Sequence, residues 1–110
     1  MPLDPQAQAF LAQLAAAGAP PLEQLPVDQV RAIYRQLCGG SGEPEAVGEV
    51  FDRTIAGPAG PIPLRIYTPK ASGPFPILVH LHGGGWGVCD LAAYDPLCRK
   101  LTNAAECAVV

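Results

Sequence analysis

The sequence has 110 residues, of which 49% are hydrophobic and 15% are charged, and its formal net charge is −3. That length predicts a single domain, and the composition is typical of folded globular proteins, not of a disordered chain. The seven Lys and Arg residues are scattered along the chain, so no basic patch predicts a nucleic-acid partner.

We expect a cytoplasmic protein, since the N-terminal segment has neither the basic stretch nor the apolar core of a secretory signal. Residues 5–22 carry no charge, but they contain three glutamines and two consecutive prolines, which makes them too weakly hydrophobic for a membrane span. Cys38, Cys89, Cys98 and Cys107 show neither a CxxC pair nor the spacing of a zinc site. They are predicted to be free thiols, and we expect no metal and no cofactor.

The chain is predicted to begin with two amphipathic helices. Asp4 and Pro5 are typical of an N-cap and a first helical position, and apolar residues then recur at helical spacing as far as Gly18. We expect other parts of the protein to cover this apolar stripe, because so short a helix gains most of its stability from packing. A second helix is predicted from Pro26. Its apolar face would consist of Val27, Val30, Ile33, Tyr34 and Leu37.

Residues 39–45 are rich in glycine and acidic side chains, and they are predicted to be a linker between residues 1–46 and residues 47–110. Ser41 follows a glycine at the spacing that begins a G-x-S-x-G nucleophile motif. Glu43 replaces the second glycine, however, and no apolar strand precedes the serine, whereas this motif requires a strand-to-helix turn. Ser41 is therefore not predicted to be a nucleophile.

Residues 47–56 and 62–69 are predicted to be two strands of a hairpin, because the segment between them is dense in turn residues. In the second strand Ile62, Leu64 and Ile66 share one face, which is the alternation of a half-buried strand. Arg65 and Tyr67 point to the other face.

The most apolar run, residues 76–81, is predicted to be a strand covered on both faces, and it leads directly into His82 and three glycines. Three successive glycines allow positive φ angles and bring backbone N–H groups close to a bound atom. Amides aimed at a developing oxyanion stabilise a transition state, and losing one such donor costs about 2.7–4 kcal/mol. A glycine-rich turn without a ligand is the alternative interpretation.

Asp95 and Pro96 predict the start of a third helix, and residues 107–110 predict a further strand. Strand, glycine loop, helix and strand form a βαβ unit, which indicates an α/β fold. Because the sequence stops within the last apolar run, we expect these residues to be the N-terminal part of a longer protein.

The sequence HGGGW at residues 82–86, directly after a strand, resembles the oxyanion-hole motif of the hormone-sensitive-lipase-like branch of the α/β-hydrolases. Asp90 and residues 94–101 resemble the next helix of that family, and residues 1–5 resemble the N-termini of bacterial members. The family usually has glycine at the position of Cys89. The resemblance implies an α/β-hydrolase fold whose two N-terminal helices form a cap over the substrate pocket.

The resemblance also implies roles for the glycine loop. The backbone N–H groups of Gly84 and Gly85 would be the oxyanion donors, and Gly83 would supply the turn or act as an alternate donor. His82 would support the loop through hydrogen bonds without acting as a base.

The resemblance gives Trp86 and Tyr34 places in the substrate pocket, although either side chain could simply be a packing contact. A serine hydrolase also needs a nucleophile, an acid and a base. Ser72 lies in a predicted turn, and His80 is predicted to be a core histidine whose hydrogen bonds are satisfied. The three catalytic groups are therefore expected beyond Val110.

The function implied is that of a serine carboxylic-ester hydrolase, an esterase or lipase whose partner is a small-molecule ester of short or medium acyl length. The 110 residues alone are expected to be inactive for lack of the triad. Two alternatives remain open. The protein could be a relative that binds small molecules without catalysis, or it could be a truncation product without function.

Overall fold

The computed structural model describes residues 2–18, 20–39 and 43–110. Ser41 and the centre of the predicted linker, residues 40–42, lie outside these ranges. The helices are α1 (Pro5–Ala16), a 3₁₀ turn (Leu22–Gln24), α2 (Val27–Gly39) and α3 (Leu91–Ala105). The strands are β1 (Glu49–Gly57), β2 (Gly60–Thr68), β3 (Ile77–Leu78) and β4 (Ala108–Val109). None of the helices described is long and apolar enough to cross a membrane.

The four strands form one sheet in the order β1-β2-β4-β3. β1 and β2 are an antiparallel hairpin that pairs along its whole length, from Glu49 opposite Thr68 to Gly57 opposite Gly60. β4 runs antiparallel to β2 and parallel to β3. The predicted hairpin and the predicted βαβ unit, β3-α3-β4, are therefore confirmed.

The core lies between α3 and the sheet face that carries Tyr67. Tyr67 is 2% exposed and Val109 is 0% exposed, and the Tyr67 hydroxyl donates to Asp95 Oδ1 of α3 at 3.0 Å. Ile62, on the opposite face of β2, is 41% exposed. The polar side of the strand is buried instead, because Asp95 supplies a partner for the phenol and also pairs with Arg65 at 3.7 Å.

The strand that leads to the glycine loop is covered on one face, not on two as predicted. Leu78 packs against the core, whereas Ile77, Val79 and Leu81 are 72%, 67% and 87% exposed. No part of the described chain lies over that second face. The apolar stripe of α1 is open in the same way, since Phe10 is 54% exposed.

α3 begins at Leu91, so the predicted start at Asp95 is wrong. Asp90 is the N-cap, and its Oδ1 accepts a hydrogen bond from the amide of Ala93 at 3.0 Å. The Asp95 side chain is occupied elsewhere, since it accepts from Tyr67 and binds Arg99 at 2.6 Å. Pro96 consequently lies inside the helix instead of opening it.

Candidate functional site

The glycine loop connects β3 to α3 through a tight turn centred on Gly84. The carbonyl oxygen of Gly84 accepts hydrogen bonds from the amides of Gly87 at 3.1 Å and Val88 at 3.0 Å. Its own φ is +137°, and a Cβ at this position would overlap the Val88 carbonyl oxygen. Only glycine satisfies both conditions, since residues with a Cβ rarely adopt such a backbone conformation.

The two neighbouring glycines are less constrained. Gly85 has φ +55° but open space where a Cβ would stand, and a Cβ on Gly83 would meet only the Tyr94 hydroxyl, at 3.4 Å. Within the described residues, the amides of Gly83, Gly84 and Gly85 donate to no protein acceptor. These three amides are therefore available as donors, and their role at an oxyanion stays a prediction.

A cleft of about 520 Å³ lies beside the loop. Its wall consists of residues 82–90 together with Arg31 and Arg35 of α2. This volume falls in the range of about 300–1,000 Å³ that small-molecule sites occupy. The loop amides thus border a space that can hold a ligand.

His82 holds the start of the loop in place through a hydrogen bond and a ring contact. Its Nδ1 donates to the carbonyl oxygen of Gly83 at 2.8 Å, and its ring stacks on Tyr94 with centroids 5.4 Å apart. Both contacts limit the orientation of the first glycine. The supporting role implied by the resemblance requires such a hydrogen bond, although the role itself stays a prediction.

His80 differs from the expectation of a satisfied core histidine. Its ring lies 5.3 Å from that of Tyr94, but its Nε2 is buried and has no hydrogen-bond partner in the described part of the chain. His80 lies two residues past β3, and its backbone amide donates to the carbonyl oxygen of Val110 at 2.8 Å.

Sequence reasoning gave no role to Arg31 and Arg35, which lie off the apolar face predicted for the second helix. Arg31 Nε donates to the carbonyl oxygen of Gly87 at 2.8 Å, and Arg35 Nε donates to Asp90 Oδ2 at 2.7 Å. This hydrogen bond from Arg35, together with the amide of Ala93, holds the pKa of Asp90 below its usual range. The i, i+4 spacing of the two arginines was the available signal, since it puts both on one helix face.

The structure separates the two residues assigned to a substrate pocket. Trp86 is fully exposed and belongs to the cleft wall. Tyr34 is half-buried on α2 and is not among the residues that line this cleft. A role for Trp86 at a substrate stays a prediction.

Two residues with side chains adopt left-handed backbone in this loop: Trp86 has φ 57° and Cys89 has φ 70°. The related family usually has glycine at the position of Cys89, which is the residue type that this conformation favours. Cys89 therefore carries backbone strain that a glycine at this position would avoid.

Comparison with known proteins agrees with this fold. A family model described as the α/β-hydrolase fold matches residues 78–110. The carboxylic ester hydrolase LipN of Mycobacterium tuberculosis is 38% identical over 98% of this chain and 29% of its own length. An arylesterase of Saccharolobus solfataricus is 29% identical over 100% of this chain and 36% of its own length. The chain therefore spans about a third of the length of these relatives.

Solved structures give the same result. An ester hydrolase from the metagenome of Lake Arreo superposes with a TM-score of 0.87 and 34% identity, over 98% of this chain and 36% of that one. A hyperthermophilic esterase from Pyrobaculum calidifontis superposes with a TM-score of 0.81 and 31% identity, over 99% of this chain and 35% of that one. This fold and the motif at residues 82–86 place the chain among the α/β-hydrolases, with a likeness to the hormone-sensitive-lipase-like branch.

Proposed function

We propose that this chain supplies the oxyanion loop and the cap helices of a serine carboxylic-ester hydrolase acting on short or medium acyl esters. The observation that carries the proposal is the glycine loop itself. Gly84 and Gly85 have positive φ, and among the described residues their amides have no protein acceptor. Both glycines also line the cleft. The relatives named as ester hydrolases support this assignment.

The proposed chemistry is electrostatic. When a serine attacks the ester carbonyl carbon, the carbonyl oxygen becomes negatively charged, and the amides of Gly84 and Gly85 donate hydrogen bonds to it. Fixed donors need no reorganisation as the charge develops, which is why each contributes about 2.7–4 kcal/mol to transition-state stability. His82 would hold the carbonyl of Gly83 away from the oxyanion by donating to it.

We assign residues 1–46 to the cap and residues 47–110 to the beginning of the hydrolase core. The position of α2 supports its assignment to the cap. Arg31 and Arg35 of α2 line the cleft, and they donate hydrogen bonds to Gly87 and Asp90 on its other wall. Trp86 would form part of the pocket wall.

The nucleophile, the acid and the base are proposed to come from residues beyond Val110. Ser72 is exposed and does not line the cleft. His80 packs on Tyr94, and His82 is hydrogen-bonded to Gly83. Acyl transfer by a serine triad uses protein side chains and backbone amides alone, so no cofactor is part of the proposal.

A cytoplasmic location is part of the proposal. Cys89, Cys98 and Cys107 form no disulfide in this structure, and cysteines outside disulfides are typical of a reducing compartment. The proposed partner is a small-molecule ester.

Hydrolysis of p-nitrophenyl butyrate tests the proposal. The protein translated through the codons that follow Val110 should turn over the ester, whereas the 110-residue chain should not. In the longer protein Gly84→Ala should lower kcat by about 10²–10³-fold. Turnover by the shorter chain, or an active longer protein indifferent to Gly84→Ala, would show that the amides or the nucleophile are misassigned. Ester binding without turnover would favour the non-catalytic alternative.

A further inference from the structure

The cleft beside the glycine loop carries a surplus of positive charge. The charged residues of its described wall are Arg31, Arg35 and Asp90, so two cations stand against one anion, although the sequence as a whole has a formal net charge of −3. A cleft in which one sign of charge prevails raises the local concentration of ligands of the opposite sign. The charge of this wall therefore favours an anionic ligand.

The hydrogen-bonding groups of the wall indicate the same kind of ligand. The carbonyl oxygen of Gly83 accepts from His82, that of Gly84 accepts from two loop amides, and the carboxylate of Asp90 accepts from Arg35. The amides of the three glycines, by contrast, donate to no acceptor in the described chain. The wall thus combines occupied acceptors with open donors, which suits a ligand such as a carboxylate that only accepts.

The two arginines of the cleft differ in how their charge is compensated. Arg35 Nε lies 2.7 Å from a carboxylate oxygen of Asp90. Arg31 Nε donates instead to the uncharged carbonyl of Gly87 at 2.8 Å. The acidic neighbour of Arg31 is Asp28, whose Oδ1 lies 3.8 Å from Nη1 and whose side chain is 90% exposed, and such a pair is too long for a hydrogen bond and contributes little. The charge of Arg31 is therefore the less compensated of the two.

Arg31 also has donors left for a ligand. Within the described chain, neither of its Nη nitrogens has an acceptor at hydrogen-bond distance, and its side chain is 47% exposed. Its position is fixed by Gly87, whose amide donates to the carbonyl oxygen of Gly84 at 3.1 Å. The guanidinium is thus held on the same tight turn that presents the open glycine amides.

We propose that the cleft takes esters that also carry a carboxylate, with Arg31 binding the carboxylate and the amides of Gly84 and Gly85 binding the ester carbonyl oxygen. This inference rests on the proposed ester hydrolysis and gives it a substrate class, the half-esters of dicarboxylic acids. A guanidinium and a carboxylate pair through two parallel N–H···O bonds, which a neutral acyl chain cannot form. Hydrolysis adds one water, breaks the acyl C–O bond, and releases the alcohol, the dicarboxylate and one proton.

A pair of substrates of nearly equal shape tests the proposal in the protein extended past Val110. Monoethyl glutarate has a carboxylate where ethyl 5-methylhexanoate has an isopropyl group, and a pH-stat follows the hydrolysis of both at neutral pH. We expect Arg31→Gln to lower the ratio of kcat/KM, half-ester over neutral ester, by about 5–10-fold, with the loss in the KM of the half-ester. A general disturbance of the loop would slow both esters and leave the ratio unchanged.

Matched variants separate a local contact from net charge. Arg31→Lys keeps the positive charge and should lower the ratio less than Arg31→Gln does. Lys100→Gln removes the same charge from an exposed position on α3 that does not line the cleft, and it should leave the ratio unaltered. A ratio that is indifferent to Arg31→Gln, or that falls equally in Lys100→Gln, would overturn the proposal.

Failure of this inference is distinguishable from failure of the proposed function. If neither ester is hydrolysed, the proposed function fails, and binding to the same protein decides the inference. The NMR signal of the Arg31 Nε–H group should then shift on addition of monoethyl glutarate and stay in place on addition of the neutral ester. A signal that moves with neither ester, or equally with both, would overturn the inference, even in a protein that hydrolyses neutral esters.

Discussion

Backbone strain is concentrated in the glycine loop. Gly84, Gly85, Trp86 and Cys89 all have positive φ, and two of them carry side chains, for which left-handed backbone costs about 1–2 kcal/mol per residue. Strain of this kind persists only where the surrounding structure imposes it. Here two sets of hydrogen bonds impose it: those from the amides of Gly87 and Val88 to the Gly84 carbonyl, and those from the two α2 arginines to the loop.

Gly84→Ala should lower the free energy of unfolding by about 1–3 kcal/mol, because the new Cβ collides with the Val88 carbonyl and the φ suits only glycine. Urea denaturation measures the change. Gly83→Ala is the matched control, since its Cβ meets only the Tyr94 hydroxyl at 3.4 Å. Equal losses for the two variants would show that the turn is not built around Gly84.

The two histidines of this segment should respond in opposite directions to replacement by phenylalanine. His80→Phe removes a buried nitrogen that has no described partner, so stability should stay level or rise by about 1 kcal/mol. His82→Phe loses the hydrogen bond to Gly83 and should cost about 0.5–1.5 kcal/mol. Thermal unfolding of both variants supplies the comparison, and a large loss for His80→Phe would reveal a partner for Nε2.

At the scale of elements, local signals in the sequence predicted which helices and strands form, but not which of their faces pack against one another. Asp4 and Pro5 start α1 as expected, and the turn residues after residue 56 make the hairpin. Alternation along β2 showed two faces, yet the choice of the Tyr67 face depends on Asp95, which lies 28 residues away. The hydrogen bonds from α2 to the loop join residues that are far apart in sequence, by 55 positions for Arg35 and Asp90 and by 56 for Arg31 and Gly87. Periodicity within one helix does not predict such contacts.

Arg35→Ala should raise the pKa of Asp90 towards its ordinary value, because the guanidinium hydrogen bond is the main cause of the depression. A carboxyl with a lowered folded pKa stabilises the protein above its unfolded pKa of about 3.9. That contribution is lost as the pH falls through the folded value. The variant should therefore lose most of this acid dependence, while the amide of Ala93 keeps part of it. It should lose only about 0.5 kcal/mol of stability at neutral pH, since the pair is partly exposed.

NMR titration of the Asp90 carboxyl measures the change directly. Arg31→Ala is the control, because Arg31 binds the Gly87 carbonyl and not this carboxylate. An Asp90 pKa that moves equally in both variants would mean that α2 as a whole, and not Arg35, sets its value.

At the scale of the whole molecule, the chain is extended for its length. The radius of gyration is 17.2 Å, whereas a compact domain of this size has about 13 Å. The buried apolar side chains among the described residues are few: Tyr67, Cys98, Cys107 and Val109. Apolar faces on α1 and on β3 consequently remain open, and exposed patches of this kind promote association.

Val79→Lys should reduce self-association of the 110-residue chain, because it places a charge in the centre of the open β3 face, where Val79 is 67% exposed. Sedimentation velocity over a range of concentrations reports the change. Leu3→Lys, at a residue 60% exposed near the N-terminus, should leave association unaltered. The same reduction in both variants would point to net charge and not to the β3 face.

The proposed role of the Gly84 and Gly85 amides is tested most directly by a crystal structure of the protein extended past residue 110, after reaction with an alkyl phosphonate ester. We predict a phosphonyl oxygen about 2.7–3.1 Å from both amide nitrogens, with the loop conformation described above. A phosphonyl oxygen bound elsewhere, or these amides turned towards carbonyls of their own loop, would contradict the assignment.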